Sequence, residues 1–431
     1  MRKISLLIIS ALFLFTCENN NENIEGCLNE TACNYNENAN VSDGSCEYAQ
    51  ENLDCEGNCI NDTDADGVCD ENENAGCTDS TACNYDENAT DDNGSCQFPL
   101  ENLDCEGNCL NDTDGDGICD ENENTSWVFV ANEGNYGASN GSISMIDDSG
   151  NIFETEPLGD VVQALEVYED KLIVLVNNSH MIKIFDITDD GLSMPGIEVS
   201  TGNSSPRDLT IIDGKIYFTN WNSQDVKVFD LFTYAIESSI SINGLPEDIE
   251  FDGQYLWVTV PHSDFYFSTG NTVIKIDPTT NSISEIIEVG DGPQQIAFDN
   301  GEVYVSRTFY SDTWETFHGA TKITDGETIT ENYGAGTACG GSILKYQNNV
   351  YRSFDGGLSP MNADLSLDSD NKIGNYDQSL VYHVELVDGN FWFGLTNYSD
   401  LNEVRVVNSI GEEIGSYNAG LLPGDFAFWK N

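Results

Sequence analysis

Two short acidic runs carry the clearest chemistry in the chain. The first, 62–73, is DTDADGVCDENE, and the second, 112–123, is DTDGDGICDENE. Each supplies oxygens at loop positions 1, 3, 5, 7, 9 and 12 around a glycine at position 6, which is the pattern that calcium prefers, whereas magnesium tends to keep its waters. The predicted calcium ligands are Asp62, Asp64, Asp66, Val68, Asp70 and Glu73 in the first loop, and Asp112, Asp114, Asp116, Ile118, Asp120 and Glu123 in the second.

Both loops lie in a cysteine-rich unit that occurs twice, since residues 27–76 recur as 77–126. Closely spaced cysteines in an even number predict an oxidising compartment, where disulfides hold a segment too poor in apolar residues to build a core. Six cysteines allow fifteen pairings in each unit, and their spacing leaves all of them open. The cysteines predicted to form disulfides are Cys27, Cys33, Cys46, Cys55, Cys59, Cys69, Cys77, Cys83, Cys96, Cys105, Cys109 and Cys119.

The DxDxDG core and the Cys-Asp that follows it resemble thrombospondin type-3 calcium repeats. The other half of each unit, with its ACNYxENA and GSC segments, instead resembles repeats in surface proteins of marine Bacteroidetes. The flanks lack the apolar period of helices, so EF-hands are not expected. The resemblance implies a stalk of two calcium-binding units, 27–76 and 77–124, with a disordered acidic stretch as the alternative.

The N-terminus predicts a lipoprotein. Arg2 and Lys3 precede an apolar run that is too short to span a bilayer as a mature helix, which indicates a signal peptide over 1–16. The run ends in Leu-Phe-Thr-Cys17, which resembles a loose bacterial lipobox, so Cys17 is predicted to carry lipid and 17–26 to form a tether. The alternative is an ordinary cleaved signal. We expect an outer-membrane protein, exposed at the surface and attached through lipid alone.

The net charge of −61 restricts the partners of this chain. Residues 18–124 contain no Lys, Arg or His. Such a polyanion repels nucleic acid and anionic membrane surfaces, and divalent cations are its natural partners. The alternative is an acidic spacer that serves solubility, but the regular placement of the acids favours cation binding.

The rest of the chain, 125–431, predicts an all-β fold. A strand–turn–strand submotif recurs at a spacing of roughly forty residues, which is the length of a propeller blade. Its six copies are 165–177, 208–220, 248–259, 295–306, 342–353 and 383–394.

The two ends of region 125–431 are predicted to form strands of the same blade. Residues 127–132 match the second strand of a blade, and 424–429 match the missing first strand. The sequence therefore predicts a seven-bladed β-propeller in which the C-terminal strand closes blade one and removes the free sheet edges. A β-sandwich does not explain this relation between the two ends, and a parallel β-helix needs a shorter period.

Two features resemble known propellers. Pro206, Pro246 and Pro293, each placed just before a first strand, resemble YncE-like seven-bladed propellers. The opening stretch 132–144, NEGNYGASNGSIS, resembles the start of Bacteroidetes surface lipoprotein propellers. That group includes the BtuG-type proteins, which capture cobalamin beside TonB-dependent transporters. The resemblance implies a corrinoid ligand and a transporter partner.

Aromatic and amide side chains cluster in the loops that follow the second strands, which reach the same face of a propeller as the loops entering the first strands. Such a face suits a large planar or amphipathic small molecule. The predicted ligand-binding residues are Tyr136, Arg207, Trp221, Tyr266, Arg307, Phe309, Tyr310, Trp314, Arg352 and Tyr398. The aromatic loop of blade five, 307–318, is the main expected contact. The alternative is that Tyr310, Trp314 and Phe317 cap their own loop.

We expect a binding protein rather than an enzyme. The chain has four His and shows no Ser/His/Asp or Cys/His arrangement, and Cys339 is expected to be a small buried residue. Glu133, Asn220 and Asp248 could imitate the metal ligands of calcium-dependent lactonase propellers, but those have six blades. A third class, an adhesive or structural propeller that binds protein or glycan, would present a flat loop surface.

Overall fold

A computed structural model describes residues 22–63, 65–111, 119, 125–265, 268–337 and 341–431. The chain forms two compact units, Met1–Glu123 and Asn124–Asn431. No helix in the described ranges has the length and apolar character that a bilayer crossing requires. Several residues of the sequence predictions lie outside the described ranges: Cys17, Asp64, Asp112, Asp114, Asp116, Ile118, Asp120, Glu123, Tyr266 and Cys339.

Disulfides and short turns build the N-terminal unit. Strands β1 (Glu25–Gly26) and β2 (Val41–Ser42) pair in parallel, and β3 (Ala75–Gly76) and β4 (Asp91–Asp92) repeat that pairing in the second copy. Both copies join the first cysteine to the third, the second to the fourth and the fifth to the sixth. The six disulfides are Cys27–Cys46, Cys33–Cys55, Cys59–Cys69, Cys77–Cys96, Cys83–Cys105 and Cys109–Cys119.

The buried apolar side chains described in this unit confirm that disulfides replace a core. They are four half-cystines and two alanines: Cys27, Cys69, Cys77, Cys119, Ala32 and Ala82.

The C-terminal unit is an all-β propeller of seven antiparallel blades, as predicted. Blade one contains β5 (Ser126–Asn132), β6 (Ser142–Asp147) and β7 (Ile152–Glu154); blade two contains β8 (Val162–Tyr168), β9 (Lys171–Val176), β10 (Met181–Thr188), β11 (Gly191–Leu192) and β12 (Ile197–Ser200). Blade three contains β13 (Pro206–Ile212), β14 (Lys215–Asn220), β15 (Asp225–Asp230) and β16 (Ala235–Ser241); blade four contains β17 (Ile249–Phe251), β18 (Leu256–His262), β19 (Thr269–Asp277) and β20 (Ser282–Glu288).

The later blades follow the same order. Blade five contains β21 (Pro293–Asp299), β22 (Glu302–Tyr310), β23 (Thr316–Thr324) and β24 (Glu327–Ala335); blade six contains β25 (Ile343–Tyr346), β26 (Asn349–Phe354) and β27 (Gly357–Pro360), followed by a short 3-10 helix, Ser369–Asn371. Blade seven contains β28 (Val381–Val387), β29 (Asn390–Thr396), β30 (Asn402–Val407) and β31 (Glu413–Asn418).

The last strand, β32 (Pro423–Lys430), pairs with β5 and completes blade one. Its Phe426 packs with Val130 and Trp392, and its Trp429 packs with Trp127 and neighbouring residues of blade two. The closing strand therefore buries apolar area against blades seven and two, which confirms the predicted closure.

The burial of the second strands explains why the blade repeat could be recognised in the sequence. In β9, KLIVLV, every residue after the first is buried, because this strand packs against a neighbouring blade on each face. The outer strands are different, since β16 and β20 expose most of their side chains. The repeat was therefore recognised from the apolar first and second strands, whereas the exposed outer strands have no apolar pattern that would identify them.

An irregularity recurs where the inner strands begin. The pairing register shifts between Pro206 and Leu209, between Pro293 and Ile296, and between Pro423 and Asp425. Blades two and seven show it as well. A bulge of this kind bends the strand and re-aims its side chains. It directs the polar residue two positions after each proline (Asp208, Gln295 and Asp425) into the central cavity.

Candidate functional site

Polar side chains from the seven inner strands line the centre of the propeller. We call the residue at the equivalent position of each blade the channel ring; from blade one to blade seven it consists of Asp425, Ala164, Asp208, Asp248, Gln295, Ser342 and His383. A cavity of about 410 Å³ is lined by five of these residues together with Glu250 and Glu385, which lie one layer further along their strands.

The channel ring joins each blade to the next. Its side chains accept backbone N–H groups of the following inner strand: Asp425 from Leu165 (2.6 Å), Asp208 from Ile249 (2.9 Å), Asp248 from Ile296 (3.0 Å), Gln295 from Ile343 (3.3 Å) and Ser342 from Val384 (2.9 Å). Buried N–H groups need acceptors, so these residues have a structural role.

At two positions of the channel ring the side chain does not accept the backbone N–H of the next blade. In both blades a glutamate two residues further along the strand accepts it instead. Blade two has Ala164 at the ring position, and Glu166 accepts a backbone bond from Ile211. Blade seven has His383, and Glu385 Oε2 accepts the N–H of Phe426 at 3.2 Å. Every junction between blades therefore has a side-chain acceptor on its inner strand.

This arrangement concentrates carboxyl groups around the cavity, where they are removed from most but not all contact with water: the side chains of Asp425 and Glu385 remain 21% and 38% exposed. Burial, together with the charges of the nearby acids Asp208 and Glu250, raises the pKa of Glu166 to about 9. Burial likewise raises the pKa of Glu250 to about 8, that of Glu385 to about 8 and that of Asp208 to about 6. A buried carboxylate without a cation takes up a proton instead of staying charged.

Three side chains that line the cavity, two from the channel ring and one from the next layer, lie close enough together to bind a metal ion. Ligand atoms of His383, Glu385 and Asp425 all lie within 4.8 Å of one another, and the described residues contain no second such group. The lactonase-like set Glu133, Asn220 and Asp248 contains a residue with other partners. Asn220 is fully buried and bonds Ser204 and its own strand, so it has a structural role.

A second cluster lies at the mouth of the channel, one residue before the ring. The guanidinium of Arg207 donates to Glu247 (Nη2 to Oε1, 2.5 Å) and to Gln163 (Nη1 to Oε1, 2.7 Å). Its Cζ lies 4.4 Å from the ring centroid of Trp221, a cation–π distance. The ion pair and the aromatic face fix the guanidinium at the mouth.

Glu133 faces this arginine from blade one. Burial raises the pKa of Glu133 to about 7, opposed by the charge of Arg207 and by a hydrogen bond with Tyr382. Gly424 makes room for it, because a Cβ there would lie 2.6 Å from Glu133 Oε1. We define the mouth cluster as Glu133, Gln163, Arg207, Trp221, Glu247, His262, Tyr382 and Tyr398, in which Trp221 contacts His262 and Tyr382 contacts Tyr398 edge to face, each pair at 5.9 Å.

Exposed aromatic side chains also lie in loops that follow second strands, on the same face of the propeller as the mouth cluster. Tyr136 is 79% exposed and Trp314 is 73% exposed. Tyr136 lies in the opening loop, whose Gly137 N–H is held by Asp160 at 2.9 Å. The buried Asn132 of the same motif bonds the hydroxyls of Ser142 and Ser144. Much of the opening motif therefore serves the fold, while its tyrosine faces solvent.

The predicted aromatic loop of blade five is a β-hairpin rather than an irregular loop. Phe309 stacks on Phe317, its cross-strand neighbour, at 5.9 Å, and Tyr310 contacts Trp314 near the tip at 6.1 Å. Arg307 is 4% exposed, and its Nη2 donates to Asn332 Oδ1 at 2.6 Å. The aromatic residues reach the surface, whereas the arginine supports the hairpin from inside.

Arg352 was predicted to contact the ligand on the propeller face, but the structure places it in the interior. It is fully buried, donates to the carbonyl oxygens of Ser353 and Arg307, and lies 3.2 Å from His318 Nδ1. These contacts favour a structural role over the predicted ligand contact.

Sequence reasoning singled out Arg207, Trp221 and Tyr398 but overlooked Tyr382 and Gln163. The signal for them was available, because both occupy the position of Arg207 in their own blades, directly before the channel ring.

The stalk loop shows one feature that fits a cation. Asp62 Oδ2 accepts the N–H of Gly67 at 3.2 Å, so the residue at loop position 1 closes the glycine turn. The other carboxylate oxygen, Asp62 Oδ1, is buried and has no hydrogen-bond partner. Asp70 instead bonds the N–H and hydroxyl of Thr63, at 2.7 Å each.

Comparisons with known proteins bear on the fold alone. No family model and no curated protein matches the chain. A candidate 6-phosphogluconolactonase from Bacteroides uniformis aligns with a TM-score of 0.53 and 14% identity, covering 71% of this chain and 99% of its own. Another candidate 6-phosphogluconolactonase, from Bacteroides fragilis, aligns with a TM-score of 0.50 and 14% identity, covering 71% of this chain and 98% of its own. A protein from Lactobacillus plantarum aligns with a TM-score of 0.52 and 11% identity, covering 71% of this chain and 100% of its own. These likenesses agree with a seven-bladed propeller and do not extend to activity.

The buried carboxyl group of Glu166 makes a prediction about pH. Its folded pKa lies above its unfolded value, so the folded state binds the proton more tightly, and this contribution to stability falls as the pH rises from about 4.5 toward 9. Glutamine imitates the protonated form. We expect Glu166→Gln to melt roughly 2–4 °C above the unmodified protein at pH 9, the shift that about 1 kcal/mol makes in a large domain, and to match it at pH 5.

Melting curves between pH 5 and pH 9, followed by tryptophan fluorescence, measure this effect. The control is Glu169→Gln, an exposed glutamate in the turn after the same strand. Parallel curves for Glu166→Gln and the unmodified protein would show that Glu166 is ionised in the folded state throughout this range.

Proposed function

We propose that this protein is a lipid-anchored surface binding protein whose propeller captures a ligand at the mouth of its central channel. The observation that carries the proposal is the mouth cluster, in which a fixed guanidinium, the ring of Trp221 and the buried carboxyl group of Glu133 lie together on the face that also carries exposed aromatic side chains. Apolar area with a few fixed polar groups is the composition of small-molecule sites.

A corrinoid is the first ligand to consider. The opening motif 132–144 resembles that of BtuG-type propellers, and a corrinoid presents a broad ring whose amide groups suit the polar atoms of the mouth cluster. In this proposal lipid on Cys17 attaches the chain to the outer membrane, and a TonB-dependent transporter receives the ligand. No catalytic role is proposed.

The acidic repeats are proposed to bind calcium as structural stalk units. The buried and unpaired Oδ1 of Asp62 supports this proposal, because an isolated carboxylate oxygen without a donor requires a cation or a proton. Calcium would also reduce the mutual repulsion of the acidic segment 18–124.

Calorimetry of the purified protein against cobalamin and cobinamide tests ligand capture. We expect one-to-one binding, weakened at least about tenfold by Trp221→Ala, because this change removes the aromatic face of the mouth cluster. The matched control is Phe232→Ala. Phe232 is 77% exposed and lies in the turn between the third and fourth strands of blade three, at the opposite face of the propeller.

Absence of heat with both corrinoids would overturn the corrinoid as ligand and favour a protein or glycan partner. Equal affinity in Trp221→Ala and Phe232→Ala would overturn the mouth cluster as the site.

Chelation followed by limited proteolysis tests calcium binding. Removing calcium is expected to expose 27–124 to protease while the tryptophan fluorescence stays unchanged, since all six tryptophans follow Asn124. Asp62→Asn should require more calcium for protection, and Asp43→Asn, an acid outside the loops, should not. A stalk that resists protease equally with and without chelator would contradict the proposal.

A further inference from the structure

We infer that the propeller holds a divalent metal ion of the zinc class in its central channel, bound by His383, Glu385 and Asp425. This site lies below the mouth cluster and does not depend on the proposed capture of a ligand there. It is also separate from the calcium loops, which lie in the other unit of the chain.

The distances suit a small metal ion. His383 Nε2 lies 3.5 Å from Glu385 Oε2 and 4.0 Å from Asp425 Oδ1. Bonds of about 2.0–2.2 Å to zinc place neighbouring ligand atoms of a tetrahedral site roughly 3.3–3.5 Å apart. The His383–Glu385 pair already has this separation, the His383–Asp425 pair needs a shift of roughly half an ångström, and the Glu385–Asp425 pair lies within 4.8 Å.

The imidazole is the second observation, independent of the acids. His383 Nε2 is fully buried and has no hydrogen-bond partner among the residues that the structure describes, and the side chain as a whole is 14% exposed. A buried ring nitrogen without a partner is costly unless something binds it. It points between two carboxyl groups, which is the environment of a metal-ligating histidine.

The two carboxyl groups serve the fold and the proposed metal in different ways. Asp425 uses Oδ2 to accept the N–H of Leu165, while Oδ1 is the atom nearest His383. Glu385 uses one oxygen for both, since Oε2 accepts the N–H of Phe426 at 3.2 Å and lies 3.5 Å from His383 Nε2. A carboxylate oxygen has two lone pairs, so this backbone bond orients Glu385 and leaves a second lone pair for the ion.

The surroundings favour a cation. Asp208, Asp248 and Glu250 line the same cavity, and Lys345, the cation among its lining residues, is paired with Asp299. A site with one imidazole nitrogen and two carboxylates suits zinc and related first-row ions, whereas calcium and magnesium take oxygen ligands. The cavity beside the group leaves room for water as a further ligand.

Calorimetry with Zn²⁺ on the full chain, in excess calcium to occupy the stalk loops, tests the inference. We expect one zinc ion per chain at this site and a loss of affinity of at least about tenfold in His383→Gln. His180→Gln is the matched control, since His180 is a second half-buried histidine that bonds Ser205 N–H outside this cluster.

Asp425→Asn and Glu385→Gln separate the metal from the fold. Each amide keeps an oxygen that accepts the same backbone N–H, so folding is retained while zinc affinity falls, and Co²⁺ added to the unmodified protein should show visible absorption that zinc abolishes. If His383→Gln fails to fold by tryptophan fluorescence, Asp425→Asn decides. Equal zinc affinity and stoichiometry in the unmodified protein and these variants would overturn the site.

Discussion

The propeller depends on one interaction repeated around its axis: a polar side chain on each inner strand accepts a backbone N–H of the next blade. Seven twisted sheets bury their faces against one another, but apolar packing alone does not fix how the inner strands meet. A directional bond to a buried N–H does so. The recurring bulge delivers the acceptor to this place, and Glu166 and Glu385 supply it where Ala164 and His383 occupy the ring.

Using carboxyl groups as the acceptors places acidic side chains close together. Asp is the acceptor in three blades and Glu in two, so the junctions gather carboxyl groups around the central cavity. Their pKa values rise through burial, and protons or a cation must compensate. In the N-terminal unit the disulfides replace a core and limit the expansion that repulsion among its many acidic groups would cause.

The architecture could be predicted because its signals are local. The apolar second strands, the spacing of the blades and the match between 127–132 and 424–429 yielded seven blades and their closure. The disulfide pairing could not be predicted, because it depends on distances that spacing does not contain. The site was predicted in part: loop position pointed to Trp221 and Tyr398, but burial converts Arg352 into an internal support. The group of His383, Glu385 and Asp425 was overlooked because its members come from two strands at opposite ends of the ring order.

Hydrogen exchange at the amide of Ile249 tests the inter-blade bond most directly. This N–H is donated to Asp208 Oδ2. Comparison of Asp208→Asn with Asp208→Ala by mass spectrometry separates the acceptor from the charge, since asparagine keeps an accepting oxygen and alanine does not. The account predicts that Ile249 stays protected with asparagine and exchanges at least about tenfold faster with alanine, the effect of roughly 1.4 kcal/mol. Equal protection of Ile249 in both variants would contradict it.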